Sequence, residues 1–522
     1  PVITGLEYDS RRVKPGDLYF ALPGLHADGH AFIADALSRG AAAVIHQAPL
    51  PVQPEKTAGP VFIRVADSRF AMSPVAAAFY GFPAEKLCLA GVTGTEGKST
   101  TVYLIWQLLR LAGKKAGFIS TVQYSSGGEA EWNSEHQTTP EAVTVHRRLA
   151  EMAAGGAEYA VIEASSHGLS KRTNRLGDVS FDAAVMTNVT HEHLEFHGTW
   201  EQYRDDKANL FRSLDRRAGR RGKGPAPFGV INAADKSASY FAAATGQKTR
   251  TFCAAPPCRA EGAPDLQLLS LTSGAGGNRY EVQAGSAVLV IEDRLPGAFN
   301  PGNVLAALLT VSGLTGKTVE ELAPLVPSLK PVRGRMTRVG GGPFEVVVDY
   351  AHTPSSFEAI FPPLRSRLDS SGGRIISLFG SAGERDTKKR SEQGAIAAGY
   401  SDIVILSDED PRGEEPMAIL EEIAAGISPA DVPAGTPEAG APLPGRLFRR
   451  EENLFLIPDR PGAIRKAFSL ARPGDLVLLL GKGHENSIIY KDHTMKYDEI
   501  AEAEKALAEL STAGSSSVPQ NR

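Results

Sequence analysis

Residues 91–100 read Gly-Val-Thr-Gly-Thr-Glu-Gly-Lys-Ser-Thr, just after an apolar stretch and just before a segment of helical periodicity. Glycines in such a turn let backbone N–H groups approach phosphate oxygens, and the positive end of the following helix favours their charge. Lys98 is placed to reach β- and γ-phosphates, and the Ser99 hydroxyl to ligate Mg²⁺. The standard spacing asks for the first glycine one position after Gly91, so this is a variant loop. Gly94, Thr95, Glu96, Gly97, Lys98, Ser99 and Thr100 are the expected nucleotide-binding residues.

A second group of reactive types follows strand-like segments. Glu163-Ala-Ser165-Ser166-His167-Gly168 comes first, then Thr187-Asn188-Val-Thr-His191-Glu192-His193-Leu-Glu-Phe-His197-Gly198-Thr199. Three histidines in seven residues suggest zinc at first sight, but no cysteine is near, and oxygen-rich Mg²⁺ sites suit nucleotide chemistry better. Taken alone, Glu163 reads as a solvated loop residue, and Lys207, in a helical stretch from Tyr203 to Phe211, as a solvated helix lysine.

These groups need parallel strands to hold them. Strands are expected at 17–21, 43–46 and 61–65, then at 87–92, 159–162 and 183–187, then at 345–348, 375–379, 403–406 and 476–480, with a helix at 100–112. Strands alternating with helices give an α/β chain of parallel, doubly wound sheets. A length of 522 residues fits two to four domains, and we expect three: a small α/β domain at 1–86, a central phosphate-loop domain at 87–330, and a Rossmann-like domain at 331–512. A linker is expected around Pro83 and Glu85. The Pro/Gly/Ala-rich segment 428–446 reads as an inserted loop, and 513–522 as a disordered tail.

Hydrophobic residues make up 42% and charged residues 22%, ordinary for a soluble globular protein, and the net charge of -4 gives no basic field for nucleic acid or anionic membrane. The basic stretch 216–227 has no interleaved aromatics for base stacking and reads as a solvated loop. Three cysteines are too few for a disulfide framework, and Cys253 and Cys258 lack companions for zinc. Apolar runs are too short for a membrane span and no signal peptide is evident, so a reduced cytoplasmic compartment is expected.

The phosphate loop, Glu163-Ala-Ser-Ser-His-Gly, Thr-Asn-x-x-x-x-His193-Leu-x-x-His197-Gly and the Lys207 helix occur here in the order found in Mur ligases, which the chain resembles over nearly its whole length. The resemblance implies ATP-dependent amide-bond formation with Mg²⁺, in peptidoglycan precursor synthesis. It assigns Glu163 and His193 as metal ligands with Ser99, and Lys207 as a carbamylated lysine giving a further anionic oxygen. Lys98, Glu163, His193 and Lys207 are thereby the expected catalytic group. Glu96 stands where the family has Asn, and His191-Glu192 where it has Arg-Asp.

Other segments resemble the diamino-acid-adding members. Ser10, Leu25, His26 and Ala27 match positions that contact UDP, and Thr138, Thr139, Ser165 and Arg175 match contacts to the muramoyl-dipeptide. Asn300 and Asn303 match an adenine-contacting helix start, where helix capping is the plain alternative; Arg335 and Asp349 match groups that close on ATP. Arg385, Glu409, Asp410, Pro411, Arg412, Gly481 and Glu485 match contacts to the amino acid.

The expected substrates are therefore ATP, UDP-N-acetylmuramoyl-L-alanyl-D-glutamate and a diamino acid, joined through an acyl phosphate by a monomer. Arg412 favours meso-diaminopimelate, because a guanidinium can grip its distal carboxylate. Asp410, where such enzymes have Asn, favours an amino group and keeps L-lysine or L-ornithine open. Folylpolyglutamate synthetase and a non-catalytic relative are the remaining alternatives.

Overall fold

The computed structural model describes the chain apart from residues 25–27, 50–58, 134–136, 191–193, 220–223, 256, 259–261, 275, 341, 370, 428–446 and 516–522. Contacts divide it into two compact units. The first comprises Pro1–Leu271, Arg279–Asp293 and Phe299–Leu329; the second holds Thr272–Asn278, Arg294–Ala298 and everything from Lys330 onward.

In the first unit a four-stranded sheet follows chain order through Gly5–Glu7, Asp17–Phe20, Ala43–His46 and Val61–Arg64. All its neighbours are parallel. The helix Ser68–Phe79, capped by Asp67, lays Met72 and Ala76 against Leu18 and Phe20, in a core shared with Ala142 and Val143.

The central sheet has eleven strands. Cys88–Thr93 lies between Tyr159–Glu163 and Ala183–Met186, parallel to both. Ala116–Ile119 extends the parallel set on one side, Phe228–Asn232 and Lys248–Cys253 on the other. The sheet is mixed rather than wholly parallel, since Gln123–Ser125 pairs antiparallel with Ala116–Ile119. Three further strands, Leu266–Gly274, Gly277–Ala284 and Ala287–Asp293, carry it outward. Two glycines set the depth of the helix Trp200–Ala218: a Cβ on Gly91 would sit 2.5 Å from Leu210 Cδ1, and one on Gly229 2.8 Å from Phe211 Cε1. The helix carrying Lys207 thus packs against the strand that leads into the phosphate loop.

One expectation about the connections is corrected. Arg216 and Arg217 belong to that long helix, and Arg217 is buried rather than solvated, because Asp182 Oδ1 at 2.8 Å and the carbonyls of Ala84 and Leu87 satisfy its guanidinium. The linker at Pro83–Glu85 forms a short 3₁₀ turn. Cys253 and Cys258 are joined as a disulfide, their Cα atoms 6.1 Å apart. Among the described residues no helix is long and apolar enough to cross a membrane.

The second unit contains a six-stranded sheet in the order Thr337–Val339, Glu345–Asp349, Leu476–Leu480, Ile375–Phe379, Ile403–Leu406 and Leu454–Leu456. Its first pair is antiparallel and the rest are parallel. Central strands such as Leu476–Leu480 are buried throughout, as a sheet covered on both faces requires. The small hairpin of Ser487–Ile489 and Thr494–Lys496 precedes the last helix, Glu499–Ser515. The tail expected to lose structure from 513 is helical through Ser515, where the helix begun by the Ala- and Glu-rich stretch 499–510 runs on. The segment 428–446 lies outside the described residues.

Candidate functional site

The phosphate loop is held from the strand beside it. Thr95 N donates to the Asn188 carbonyl and Glu96 N to Asn188 Oδ1 (both 2.8 Å), while Thr187 Oγ1 donates to the Glu96 carbonyl at 2.6 Å. Position 96 is thus fixed through its backbone, which explains how Glu can stand where the family has Asn. Gly94 and Gly97 have positive φ, 155° and 81°, which a side chain would strain. They also leave no room: a Cβ on Gly94 would lie 1.9 Å from Thr187 Oγ1, and one on Gly97 2.5 Å from Asn303 Oδ1. Lys98 starts the helix Lys98–Leu111 and donates to the Thr95 carbonyl at 2.7 Å. Thr100 is half-buried on the same first turn.

Asn300 and Asn303 do not cap their helix, Asn300–Thr315, whose cap residue Phe299 also makes no side-chain cap. Asn303 instead accepts from Thr101 Oγ1 at 3.1 Å and donates to Asn300 Oδ1 at 2.9 Å, tying that helix to the phosphate-loop helix. The interior location lets both asparagines find side-chain partners, so neither is used at the helix end.

Glu163 ends its strand buried, with Ser99 Oγ donating to Oε1 (2.9 Å) and Thr121 N to Oε2 (2.8 Å). A hydroxyl and a carboxylate therefore adjoin at the helix start, a donor set that suits a hard divalent cation. Lys207 is buried, contrary to the solvated-lysine alternative; its Nζ donates to the Gly94 carbonyl at 2.5 Å and lies 4.3 Å from the Tyr203 ring centroid. Tyr203 in turn meets Thr95, with 3.1 Å between the hydroxyls. His191 and His193 lie outside the described residues. Among the described residues no three His, Cys, Asp or Glu side chains converge as a metal site, so the expected set depends on Ser99, His193 and a modified Lys207.

The residues expected at the muramoyl-dipeptide also come together. Thr139 Oγ1 donates to the Glu163 carbonyl (2.8 Å), accepts from Ser165 N and lies 3.0 Å from Ser165 Oγ; Thr138, next to it, is half-buried. Arg175 donates to the Thr139 carbonyl (2.8 Å) and to Glu141 Oε1 (2.9 Å). Glu141 also pairs with Arg69, which reaches the Pro23 carbonyl. Leu25, His26 and Ala27 lie outside the described residues, while Ser10 is buried in a 3₁₀ turn capped by Asp9. Sequence reading passed over Arg69, for which no local pattern signals a role.

In the second unit, Glu409, Asp410, Pro411 and Arg412 follow the strand Ile403–Leu406. Arg412 sits in the left-handed region, φ 54°, held by its N–H to the Ile489 carbonyl; its Nε is buried and has no hydrogen-bond partner. Glu409 Oε2 is likewise buried without a partner and faces Gly481, where a Cβ would lie 2.8 Å away. Asp410 Oδ1 accepts from Lys482 Nζ (2.8 Å) and Ile489 N (3.0 Å), and Lys482 also donates to Glu485 Oε2 (2.5 Å). Lys482 is fully buried; burial works against its ammonium, but Glu485 and Asp410 outweigh it and hold its pKa above the ordinary value. The expected free carboxylate at Asp410 is therefore paired. Arg385 is exposed, and Gly383 N donates to the Asp410 carbonyl at 2.8 Å.

Arg460, which the sequence did not flag, is fully buried and clamps two strand ends. It donates to the carbonyls of Asp408 (2.9 Å) and Leu480 (2.7 Å) while paired with Glu499. Asp349 accepts from Met336 N and Ala351 N (both 2.7 Å), and burial pushes its pKa up. Arg335 lies over the Tyr350 ring, 4.7 Å from its centroid.

A phosphate loop on a parallel sheet, a buried carboxylate and lysine beside it, and a separate doubly wound unit with charged strand ends define an ATP-dependent peptide ligase of three-domain architecture. The models of the Mur ligase family, catalytic domain, the Mur ligase middle domain and the Mur ligase, glutamate ligase domain match residues 2–80, 92–311 and 334–483. The chain belongs to the Mur ligase family. It is 49% identical to a UDP-N-acetylmuramyl-tripeptide synthetase of Treponema denticola, over 97% of this chain and 94% of that one. It is 36% identical to the UDP-N-acetylmuramoyl-L-alanyl-D-glutamate--2,6-diaminopimelate ligase of Geobacillus kaustophilus, over 98% and 96%. A solved structure of a ligase with that second name superposes with a TM-score of 0.58 at 26% identity, covering 98% of this chain and 95% of that one.

Proposed function

We propose that this ligase adds meso-diaminopimelate to the D-glutamyl side-chain carboxylate of UDP-N-acetylmuramoyl-L-alanyl-D-glutamate, acting with Mg²⁺ as a cytoplasmic monomer. The addition of 2,6-diaminopimelate to this dipeptide is the chemistry named for the Geobacillus kaustophilus relative. The domain limits that go with this reading are 1–86 for the uridine end, 87–330 for ATP and 331–512 for the amino acid.

A carboxylate resists attack by an amine until its oxygen is made a leaving group. Transfer of the γ-phosphoryl gives an acyl phosphate; the amine attacks its carbonyl, and the tetrahedral intermediate expels phosphate. Lys98 and the loop N–H groups neutralise the transferring phosphoryl, so that catalysis is mainly positioning and electrostatics. Ser99, Glu163, His193 and a carbamylated Lys207 would hold a divalent cation, which would supply further charge neutralisation. Carbamylation adds carbon dioxide to the neutral Lys207 amine with loss of one proton, converting a donor into an anionic oxygen ligand. Thr138, Thr139, Ser165 and Arg175 orient the dipeptide, with Ser10 and the 25–27 loop on its uridine end.

The observation that carries the choice of amino acid is the pair of buried, unpartnered atoms Glu409 Oε2 and Arg412 Nε. The distal end of diaminopimelate carries an ammonium and a carboxylate, one for each. L-Lysine and L-ornithine carry an ammonium alone and would leave Arg412 without its anion. The ground for those two was the charge of Asp410, and Lys482 already engages that charge. Competition among the three amino acids, with ATP and the UDP-dipeptide saturating, tests the reading; outright preference for lysine or ornithine would overturn it. Equal ADP release with folate substrates would overturn the reaction itself.

A further inference from the structure

A buried hydrogen-bonded chain lies beside the expected metal ligands without containing any of them. His197 Nε2 is 3.0 Å from Ser166 Oγ, and His197 Nδ1 is 2.8 Å from Asp206 Oδ2. The three residue types are those of a hydrolytic triad, but all three are buried, with Ser166 only 2% exposed, and their hydrogen bonds join one another. The chain therefore acts as a brace. With Nδ1–H donating to Asp206, Nε2 accepts from Ser166, and one neutral tautomer satisfies both links.

Its place in the sequence gives the brace a purpose. Ser166 opens the short helix Ser166–Leu169, three residues after Glu163. His197 closes the short helix Leu194–His197, four residues after His193. Asp206 immediately precedes Lys207 in the helix Trp200–Ala218. Each member thus stands on the segment of a different expected ligand. The Asn209 side chain adds a parallel tie, donating to the Leu169 carbonyl at 3.0 Å. The His197 ring also lies edge-on to Tyr203, 5.2 Å between centroids, on the face of the helix that reaches Thr95.

We propose that Ser166, His197 and Asp206 are positioning residues that lock the three ligand-bearing segments into one geometry for the divalent cation. This rests on the reading of Glu163, His193 and Lys207 as its ligands. Supports behind ligands commonly change metal affinity by about 10–100-fold when removed. Each end of the brace can be cut separately: Ser166→Ala removes one hydroxyl, Asp206→Asn weakens the other link, and His197→Ala removes both.

The test is Mn²⁺ binding to the full-length protein with ADP present, read by electron paramagnetic resonance, alongside Glu163→Ala. His197→Ala is expected to raise the Mn²⁺ dissociation constant by about 10–100-fold and each single-link variant by less. The thermal midpoint of Ser166→Ala and the amino-acid KM at saturating metal should stay near the parent values. Parent-like Mn²⁺ binding in all three variants, with binding weakened in Glu163→Ala, would overturn the brace alone. Weakened metal binding accompanied by an equally raised amino-acid KM would also overturn it, as a general loss of structure. Parent-like binding in Glu163→Ala would overturn the ligand reading, and the brace with it.

Discussion

The phosphate loop and the Glu409–Arg412 segment are built on different principles. Around the phosphate loop, the backbone does most of the positioning: glycines at positive φ, carbonyls and N–H groups met by Thr187 and Asn188, and a helix start. Around Glu409–Arg412, buried charges do it, with Lys482 between Asp410 and Glu485 and Arg460 clamping the ends of two strands. A cradle whose contacts run through the loop's backbone changes little when one of the loop's own side chains differs, as Glu96 illustrates. A charge network depends on partners far away in the chain, so one substitution has a meaning only when its partner is known.

Four changes would sharpen or break that contrast. The largest effect is expected at Lys207, where the cradle meets the metal chemistry. Lys207→Ala should lower kcat by about 10²–10³ or more, and short carboxylic acids should restore part of it. Turnover close to the parent would make Lys207 merely a buried support for Gly94. Next is Arg412→Ala, which removes a charged hydrogen-bond pair worth roughly 1.5–3 kcal/mol and should raise the diaminopimelate KM about ten- to a hundredfold. An equal loss with lysine would show that Arg412 does not read the distal carboxylate.

Asp410→Asn should change the ratio of diaminopimelate to lysine use by less than about threefold, because Lys482 already engages that carboxylate and keeps Glu485 when it is gone. A tenfold shift would mean that Asp410 faces substrate directly. The last change concerns acid stability. Burial pushes the Asp408 carboxyl up to about 6, against the opposing Tyr490 hydroxyl. The folded state then holds a proton that the unfolded chain releases near its ordinary value of 3.8. The resulting stability is complete below that value and is lost as pH rises through about 6. Asp408→Asn should flatten the thermal midpoint between those pH values; an unchanged slope would rule this carboxyl out as its source.

Legibility followed the same division. The strands Ile375–Phe379, Ile403–Leu406 and Leu476–Leu480 were readable to the residue, because continuous apolar runs bounded by turns admit few alternatives. The phosphate loop was readable because its chemistry is local. The outer strands Leu266–Gly274 and Gly277–Ala284 were not, because Ser, Thr, Gly and Gln blur their alternation; the apolar run of Ala287–Asp293 was passed over. Arg217 looked solvated because its acceptors, Asp182 and the Ala84 and Leu87 carbonyls, come from other segments. Asp410 looked like a receiver of an amino group because Lys482 is 72 residues away. His197 appeared in a motif, but nothing in that motif reveals Ser166 and Asp206 at its two nitrogens.

The central claim is that Glu409 and Arg412 read both charges at the far end of the incoming amino acid. The direct measurement is kcat/KM for meso-diaminopimelate, L-lysine and L-ornithine on the full-length enzyme, with ATP and UDP-N-acetylmuramoyl-L-alanyl-D-glutamate saturating. Diaminopimelate should lead by about tenfold or more, the value of one charged contact, and Arg412→Ala should erase most of that lead. A parent enzyme that uses lysine or ornithine better, with a preference untouched by Arg412→Ala, would contradict it.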